Sequence, residues 1–252
     1  MTLTQEQLDF FNEHGYLRHG RFLEEAELAL LRNEYDRVFD EASKSNDFRN
    51  LAIHNGGDSQ HKLEAPRKMF QIMNVCERSL HFRKLLYDSR LLNIVEDLIG
   101  PNIMLFHDQA LFKPAHTGGP VPWHQDNGYW KCRPANLVSC WITLDDAFRE
   151  NGAMQVIPGS HLKPASHGLA ESDALLQIPV DESRAVVVDV PAGGCMFHHC
   201  QTFHYTQPNS TDHQRRAFAI HYMAPGTMIH SDPTTPAPMP VSWSRPMLRA
   251  RV

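Results

Sequence analysis

From residue 102 onward the chain breaks into short β-type runs with no helical pattern between them: 103–107, 111–113, 137–144, 154–157, 185–190, 195–198 and 217–223. Turn residues separate several of these at Gly118-Gly119-Pro120, Asn151-Gly152, Pro158-Gly159 and Ala192-Gly193-Gly194. Strands that follow one another without helical crossovers pair antiparallel. The pattern therefore predicts a mainly β chain whose core, over 102–224, is a double-stranded β-helix (jelly roll, cupin-like). The stretch 159–184 is irregular and reads as a loop over one mouth of that core. Beyond Pro225 the chain is proline-rich and reads as an extended tail, 225–252.

The first 101 residues read as mostly helical support. Thr4 is placed to cap a helix, with Gln7 completing a capping box and Leu3 and Leu8 spaced as a hydrophobic staple. That helix should stop near Gly15. A second amphipathic stretch covers about 24–43, where Leu28, Leu31, Tyr35, Val38, Phe39 and Ala42 recur at helical spacing. A third covers about 79–99, with Leu92, Val95, Leu98 and Ile99 on one side and Gly100-Pro101 as its stop. The polar segment 44–68, containing Asn55-Gly56-Gly57-Asp58, reads as a surface loop or lid. A length of 252 residues suits one catalytic domain built this way.

Composition removes several function classes. The formal charge is −5 and the longest basic runs are pairs such as Arg67-Lys68, so no nucleic-acid surface is expected. No apolar run approaches the roughly 20 residues needed to cross a bilayer. The first residues lack the basic start and apolar stretch of a signal peptide, which points to a cytoplasmic protein. Five cysteines without a Cys-x-x-Cys pair suggest neither a zinc knuckle nor a disulfide framework.

Sixteen histidines invite a metal hypothesis. In Trp123-His124-Gln125-Asp126 an imidazole and a carboxylate stand two residues apart, so on a strand both point to one side. Two histidines and one carboxylate make a facial triad, which leaves three positions of an octahedral ion open for a bidentate keto acid and O2. The spacing alone is weak, because a chain this rich in histidine supplies roughly one His-x-Asp by chance. A second one, His230-Ser231-Asp232, lies in the proline-rich tail and is set aside. The third ligand must come from His198, His199, His204 or His221. His221 sits in a good strand and competes fairly; His204 follows a strand and precedes the turn Gln207-Pro208-Asn209.

Three stretches resemble the phytanoyl-CoA dioxygenase family of iron(II)/2-oxoglutarate oxygenases, over about 108–222. They are 123–130, beginning Trp123-His124-Gln125-Asp126; 141–146 with Asn151-Gly152 and 157–161; and 193–204 with Asn209 and Arg215-Arg216-Ala217. The resemblance implies His124, Asp126 and His204 as catalytic metal ligands. It implies Arg215, eleven residues after the distal histidine, as the partner of the far carboxylate of 2-oxoglutarate, with Thr206 where the family usually has serine. A planar guanidinium binds such a carboxylate in bidentate fashion. Arg216 is the alternative for that role. Two departures stand out: Gly193-Gly194 where Gly-Asp is usual, and Tyr205 where glycine is common.

The activity so implied is oxidation of a C–H bond of a small organic substrate, by hydroxylation or a related outcome, with release of succinate and CO2. Iron(II), 2-oxoglutarate and O2 are the cofactors it needs. Asp126 favours this over halogenation, since related halogenases lack the carboxylate. Gln109 and Thr143 are candidates to face 2-oxoglutarate, against a packing role for each. Asn127, Tyr129, Trp130 and Lys131 are candidates for the substrate wall, again against packing. Other readings are a jelly-roll divalent-metal protein with non-oxidative chemistry and a binding module without turnover.

Overall fold

The structure is a computed structural model. It describes residues 2–53, 57–163, 165–169, 175–229, 239–240 and 245–251. The pair Asn55-Gly56 and the motif His230-Ser231-Asp232 lie outside the described residues.

Helix α1 (Gln5–His14) begins and ends as its sequence dictates. The Thr4 side chain accepts from the Gln7 amide, Gln7 caps back, and Gly15 closes the helix at a φ of 78°. Strand β1 (Tyr16–Arg21) leads to α2 (Glu25–Ser45), which buries Leu28, Leu31, Tyr35, Val38 and Ala42. The stretch expected to be a plain loop holds β2 (Arg49–Asn50) and α3 (Ser59–Glu64), and β3 (Phe70–Met73) follows it. The helix expected over 79–99 is two helices, α4 (Leu80–Leu86) and α5 (Ser89–Ile99). Asp88 makes the break by accepting from the Arg90 amide as a fresh N-cap.

Strand β4 (Ile103–Lys113) runs unbroken through Gln109-Ala110, where its hydrophobic pattern lapses. Next come β5 (Val121–His124), α6 (Asp126–Trp130), β6 (Cys132–Arg133), β7 (Val138–Thr143) and β8 (Met154–Val156). The expected loop over 159–184 contains a small hairpin of β9 (Gly168–Leu169) and β10 (Leu176–Gln177). The chain continues with β11 (Val186–Val188), β12 (Gly194–His199), β13 (His204–Thr206) and β14 (Arg215–Met223). Short strands β15 (Met228–Ile229), β16 (Met239–Pro240) and β17 (Met247–Arg249) complete it.

One large antiparallel sheet has the order β1-β12-β7-β14-β4-β3-β2, with β17 also on β4. A smaller one has the order β11-β8-β13-β5. Met154, Val156 and Val188 of the small sheet pack on Trp141, Met196, Ala217 and Ala219 of the large one. The result is an open jelly-roll sandwich with no closed barrel. Helices cover the outer face of the large sheet, where Phe218, Ile220 and Tyr222 meet Leu31, Tyr35, Phe82 and Val95. Strand β14 is therefore buried along all nine residues, and its sequence reads as one continuous apolar run apart from its two arginines and His221.

The first 101 residues are more than helical support. Strand β1 pairs with β12, and β3 with β2 extends the opposite edge of the large sheet. Among the described residues no helix is long and apolar enough to cross a membrane.

Candidate metal and co-substrate site

His124 ends β5 and His204 begins β13, and the two are direct partners across that strand pair. Their rings lie 4.1 Å apart. Asp126 is not on the strand with His124, as a simple alternation would have it. It opens helix α6, and its Oδ1 lies 3.9 Å from His124 Nε2 and 3.6 Å from His204 Nε2. These three residues, all buried, are the one group among the described residues with ligand atoms close enough to hold a metal ion.

The donor set fits a divalent cation. His124 Nδ1 donates to the Pro122 carbonyl at 2.7 Å, and His204 Nδ1 to that of Thr202 at 2.9 Å. Each Nε2 is thereby left as a lone pair turned toward Asp126. Burial pushes both imidazoles toward the neutral form that a ligand requires. Burial works against the charge of Asp126. Neighbouring His204 and a hydrogen bond from His198 outweigh it and hold this carboxyl well below the usual range.

A polar row on the large sheet faces this group. His107 pairs with His221, His221 with Ser139, and Ser139 with His198, in register across β4, β14, β7 and β12. His198 Nε2 and Ser139 Oγ each donate to Asp126 Oδ2 at 3.0 Å. Of the histidines weighed as ligands from sequence, His198 is thus a partner of the carboxylate, and His221 reaches it only through Ser139, 2.7 Å from its Nδ1. His199 turns elsewhere, accepting from the Gln201 amide at 3.1 Å.

A cavity of about 290 Å³ opens on the triad. At its other end stands Arg215, 1% exposed. Its Nη1 donates to the Leu111 carbonyl at 3.2 Å, its guanidinium lies 5.4 Å from the Trp141 ring, and its Nε is buried without a partner. Burial pulls its pKa down to about 10, so it remains a cation at neutral pH. Thr206 Oγ1, also in the cavity wall, is likewise buried without a partner. Arg216 is committed elsewhere, to Asp145 at 2.8 Å and Asp36 at 2.9 Å. A buried cation beside an orphaned hydroxyl is the complement of a carboxylate.

Sequence reasoning passed over Lys113. This fully buried lysine donates to the carbonyls of Gly119 and Gln207 at 2.6 Å each, and to that of Thr206 at 3.3 Å. It ties the turn after β13 beside Arg215. No motif announces it, since its value lies in three backbone oxygens distant along the chain.

Three of the candidates stand away from this cavity: Thr143, Asn127 and Lys131. Thr143 is not in the cavity wall; its hydroxyl donates to the Pro191 carbonyl at 2.9 Å, and Trp141, two residues earlier, lines the cavity instead. Asn127 is also outside the wall. Its amide closes the turn to Cys132, accepting from that N–H at 2.8 Å. Lys131 caps α6 in the left-handed region, at a φ of 54°, and does not line this cavity either. Gln109, Tyr129 and Trp130 do line it. Tyr205, bulky where glycine is common, stacks on Trp123 at 5.3 Å, so the turn accommodates it.

An open jelly roll with two imidazoles and a carboxylate in mutual reach, and an uncompensated arginine behind them, defines the class of 2-oxoglutarate-dependent non-haem iron oxygenases. Within that class the chain belongs to the phytanoyl-CoA dioxygenase (PhyH) family, whose family model matches residues 11–217. It is 28% identical over 242 residues to the peroxisomal phytanoyl-CoA dioxygenase of Mus musculus, covering 87% of this chain and 68% of that one. It is 25% identical over 233 residues to a probable alpha-ketoglutarate-dependent hypophosphite dioxygenase of Stutzerimonas stutzeri, covering 87% and 78%. The solved non-haem alpha-ketoglutarate-dependent carbocyclase SnoK shares the fold, with a TM-score of 0.77 at 22% identity over 97% of this chain and 96% of that one.

Proposed function

We propose that His124, Asp126 and His204 hold iron(II), that Arg215 and Thr206 hold the far carboxylate of 2-oxoglutarate, and that the protein oxidises a C–H bond of a small organic substrate. Iron(II) with 2-oxoglutarate and O2 supplies the oxidising power, releasing succinate and CO2. The single observation that carries this reading is Arg215, a buried guanidinium with an unpartnered Nε in the same cavity as the triad. A cation so placed costs stability unless a ligand anion meets it. A site for hydrolysis or isomerisation has no need of it.

The residues divide the work. Pro122 and Thr202 carbonyls fix both imidazole tautomers. Ser139 and His198 hold Asp126 Oδ2, which keeps Oδ1 turned to the histidines. Arg215, Thr206 and Trp141 shape the keto acid pocket, with Lys113 fixing its turn. Tyr129 and Trp130 wall the substrate side. A volume of about 290 Å³ sits at the low end of the roughly 300–1,000 Å³ usual for small-molecule pockets, which supports a small substrate. All five cysteines are free and buried, which supports a reducing cytoplasmic setting.

The test is a stoichiometry. Iron-loaded protein given 2-oxoglutarate and O2 should form succinate with matching O2 uptake, faster when a substrate is supplied from metabolite pools. Metal binding without any succinate would contradict the reading.

A further inference from the structure

Strand β5 is one edge of the small sheet, and β2 with β3 is one edge of the large sheet. The β9–β10 hairpin joins them across the cavity. Ile178, just after β10, donates its N–H to the Trp123 carbonyl of β5 at 2.8 Å. Leu175, just before β10, is buried against Leu51 and Met69 on the other side and lines the cavity that opens on the triad. Between them, the Leu176 N–H donates to the Tyr129 hydroxyl oxygen at 2.6 Å.

The same hairpin reaches the segment that carries two of the three ligands. Strand β5 ends at His124, the partner of His204, and α6 begins at Asp126. Gln125 is the single residue between them. It turns the chain from strand to helix, so its backbone sets the angle between the imidazole and the carboxylate. The Gln125 N–H donates to His167 Nε2 at 3.1 Å. Its side-chain NH2 donates to the Gln201 carbonyl at 2.6 Å, so this residue is held from two sides.

The helix that follows leaves space for this imidazole. A Cβ at Gly128 would lie 2.8 Å from His167 Nε2 and Cε1 and 3.0 Å from its Nδ1. Glycine is an unfavourable helix residue, and here it makes the seat that the ring fills. An imidazole that accepts through Nε2 carries its proton on Nδ1. Burial holds His167 below its ordinary pKa, which keeps that lone pair free.

We propose that His167 is a positioning residue for the metal ligands: carried by the β9–β10 hairpin, it holds the peptide that joins His124 to Asp126, so that docking of the hairpin and binding of the metal strengthen each other. The inference rests on the metal assignment above. His167 touches neither metal nor substrate and acts through the Gln125 backbone. The coupling is reciprocal, so whatever factor the docked hairpin adds to metal affinity, bound metal adds to docking. One neutral hydrogen bond sets its scale, about 3–10-fold. A hairpin whose Leu175 forms part of the cavity wall is thereby held most firmly when the metal site is filled.

The experiment uses the full chain with cobalt(II) alone as the probe, in two arms. In the first, amide hydrogen exchange of the wild type is followed with and without cobalt. Cobalt should slow exchange at Leu176 and Ile178, whose N–H groups dock the hairpin, by about 3–10-fold. In His167→Ala it should no longer do so.

The second arm is a cobalt titration read by its visible bands. His167→Ala removes the acceptor and Gly128→Ala fills its seat, and each should weaken cobalt binding by about 3–10-fold. His167→Gln offers an amide oxygen to the same N–H and should bind cobalt as the wild type does. In His167→Ala, adding Gly128→Ala should cost nothing further, because the ring it strikes is gone. A purely structural histidine would lower the metal-free melting temperature and leave cobalt affinity as it was. Wild-type affinity in both single variants, or wild-type exchange at Leu176 and Ile178 that bound cobalt does not slow, overturns the inference; the exchange arm decides even where a variant fails to fold. No cobalt binding in the wild type would instead bring down the metal assignment itself.

Discussion

His124 and His204 face one another as register partners on β5 and β13, with ring centroids 4.1 Å apart. Ligand geometry is therefore set by strand pairing. A slip of one residue would turn an imidazole to the opposite face of the small sheet. Replacing His204 with Ala should abolish metal binding and succinate formation while leaving the metal-free fold in place, since no core cluster depends on that ring. Metal content and circular dichroism of the purified variant check both halves.

Arg215 gives opposite signs for binding and stability. It is fully buried and makes no ion pair among the described residues, so Arg215→Met should leave the unliganded melting temperature unchanged or raise it. The same variant should lose 2-oxoglutarate binding. Arg215→Lys keeps charge but loses the fork. With a hydrogen bond to a charged group worth about 1.5–3 kcal/mol, the keto acid KM should rise by roughly one to two orders of magnitude. A lowered melting temperature in Arg215→Met, with KM unchanged in Arg215→Lys, would assign the arginine to structure.

Acid should weaken the fold through its buried imidazoles, His107 and His199 among them. Burial pushes His107 and His199 each down to about 4. Their unfolded value is near 6.5, so between pH 6.5 and 4 the unfolded chain binds protons that the native one refuses. Stability is full above that window and falls as pH drops through it. Urea midpoints of metal-free protein at pH 7.5 and 5 measure the slope, and His199→Gln should flatten it.

The N-terminal part should prove inseparable from the jelly roll. Phe70 on β3 lies 5.3 Å from the Phe39 ring of α2 and 5.5 Å from that of Phe48, and it pairs in register with Phe112 of β4. Phe70→Ala should cost about 3–5 kcal/mol in urea unfolding, as for a large ring removed from a core. Two separate unfolding transitions would show an independent helical unit instead.

The parts of this molecule that follow from local chemistry could be read in the sequence. Thr4, Gln7 and Gly15 bracket α1 because caps act within a few residues. The short β runs and their turns gave away the antiparallel core. The triad residues converge as the family resemblance implied. What escaped depends on partners distant along the chain. Nothing local marks Tyr16–Arg21 as a strand, because its neighbour is β12 some 175 residues away. The break at Asp88 is a cap inside a pattern that stays helical on both sides. His198 and His221 resemble ligands in sequence, and only the register with Ser139 makes them supports of Asp126. Thr143 was misplaced because alternation gives the face of a strand but not how far along it the cavity extends.

Three ligands and one arginine act on a shared pair of guests. The most direct measurement is an anaerobic titration with iron(II) and then 2-oxoglutarate, watched in the visible. The wild type should show a keto acid charge-transfer band that saturates at one iron per chain, is missing in Asp126→Ala, and needs far more 2-oxoglutarate in Arg215→Lys. A wild-type protein that binds iron yet shows no band at any keto acid concentration, or the same band in all three proteins, would contradict it.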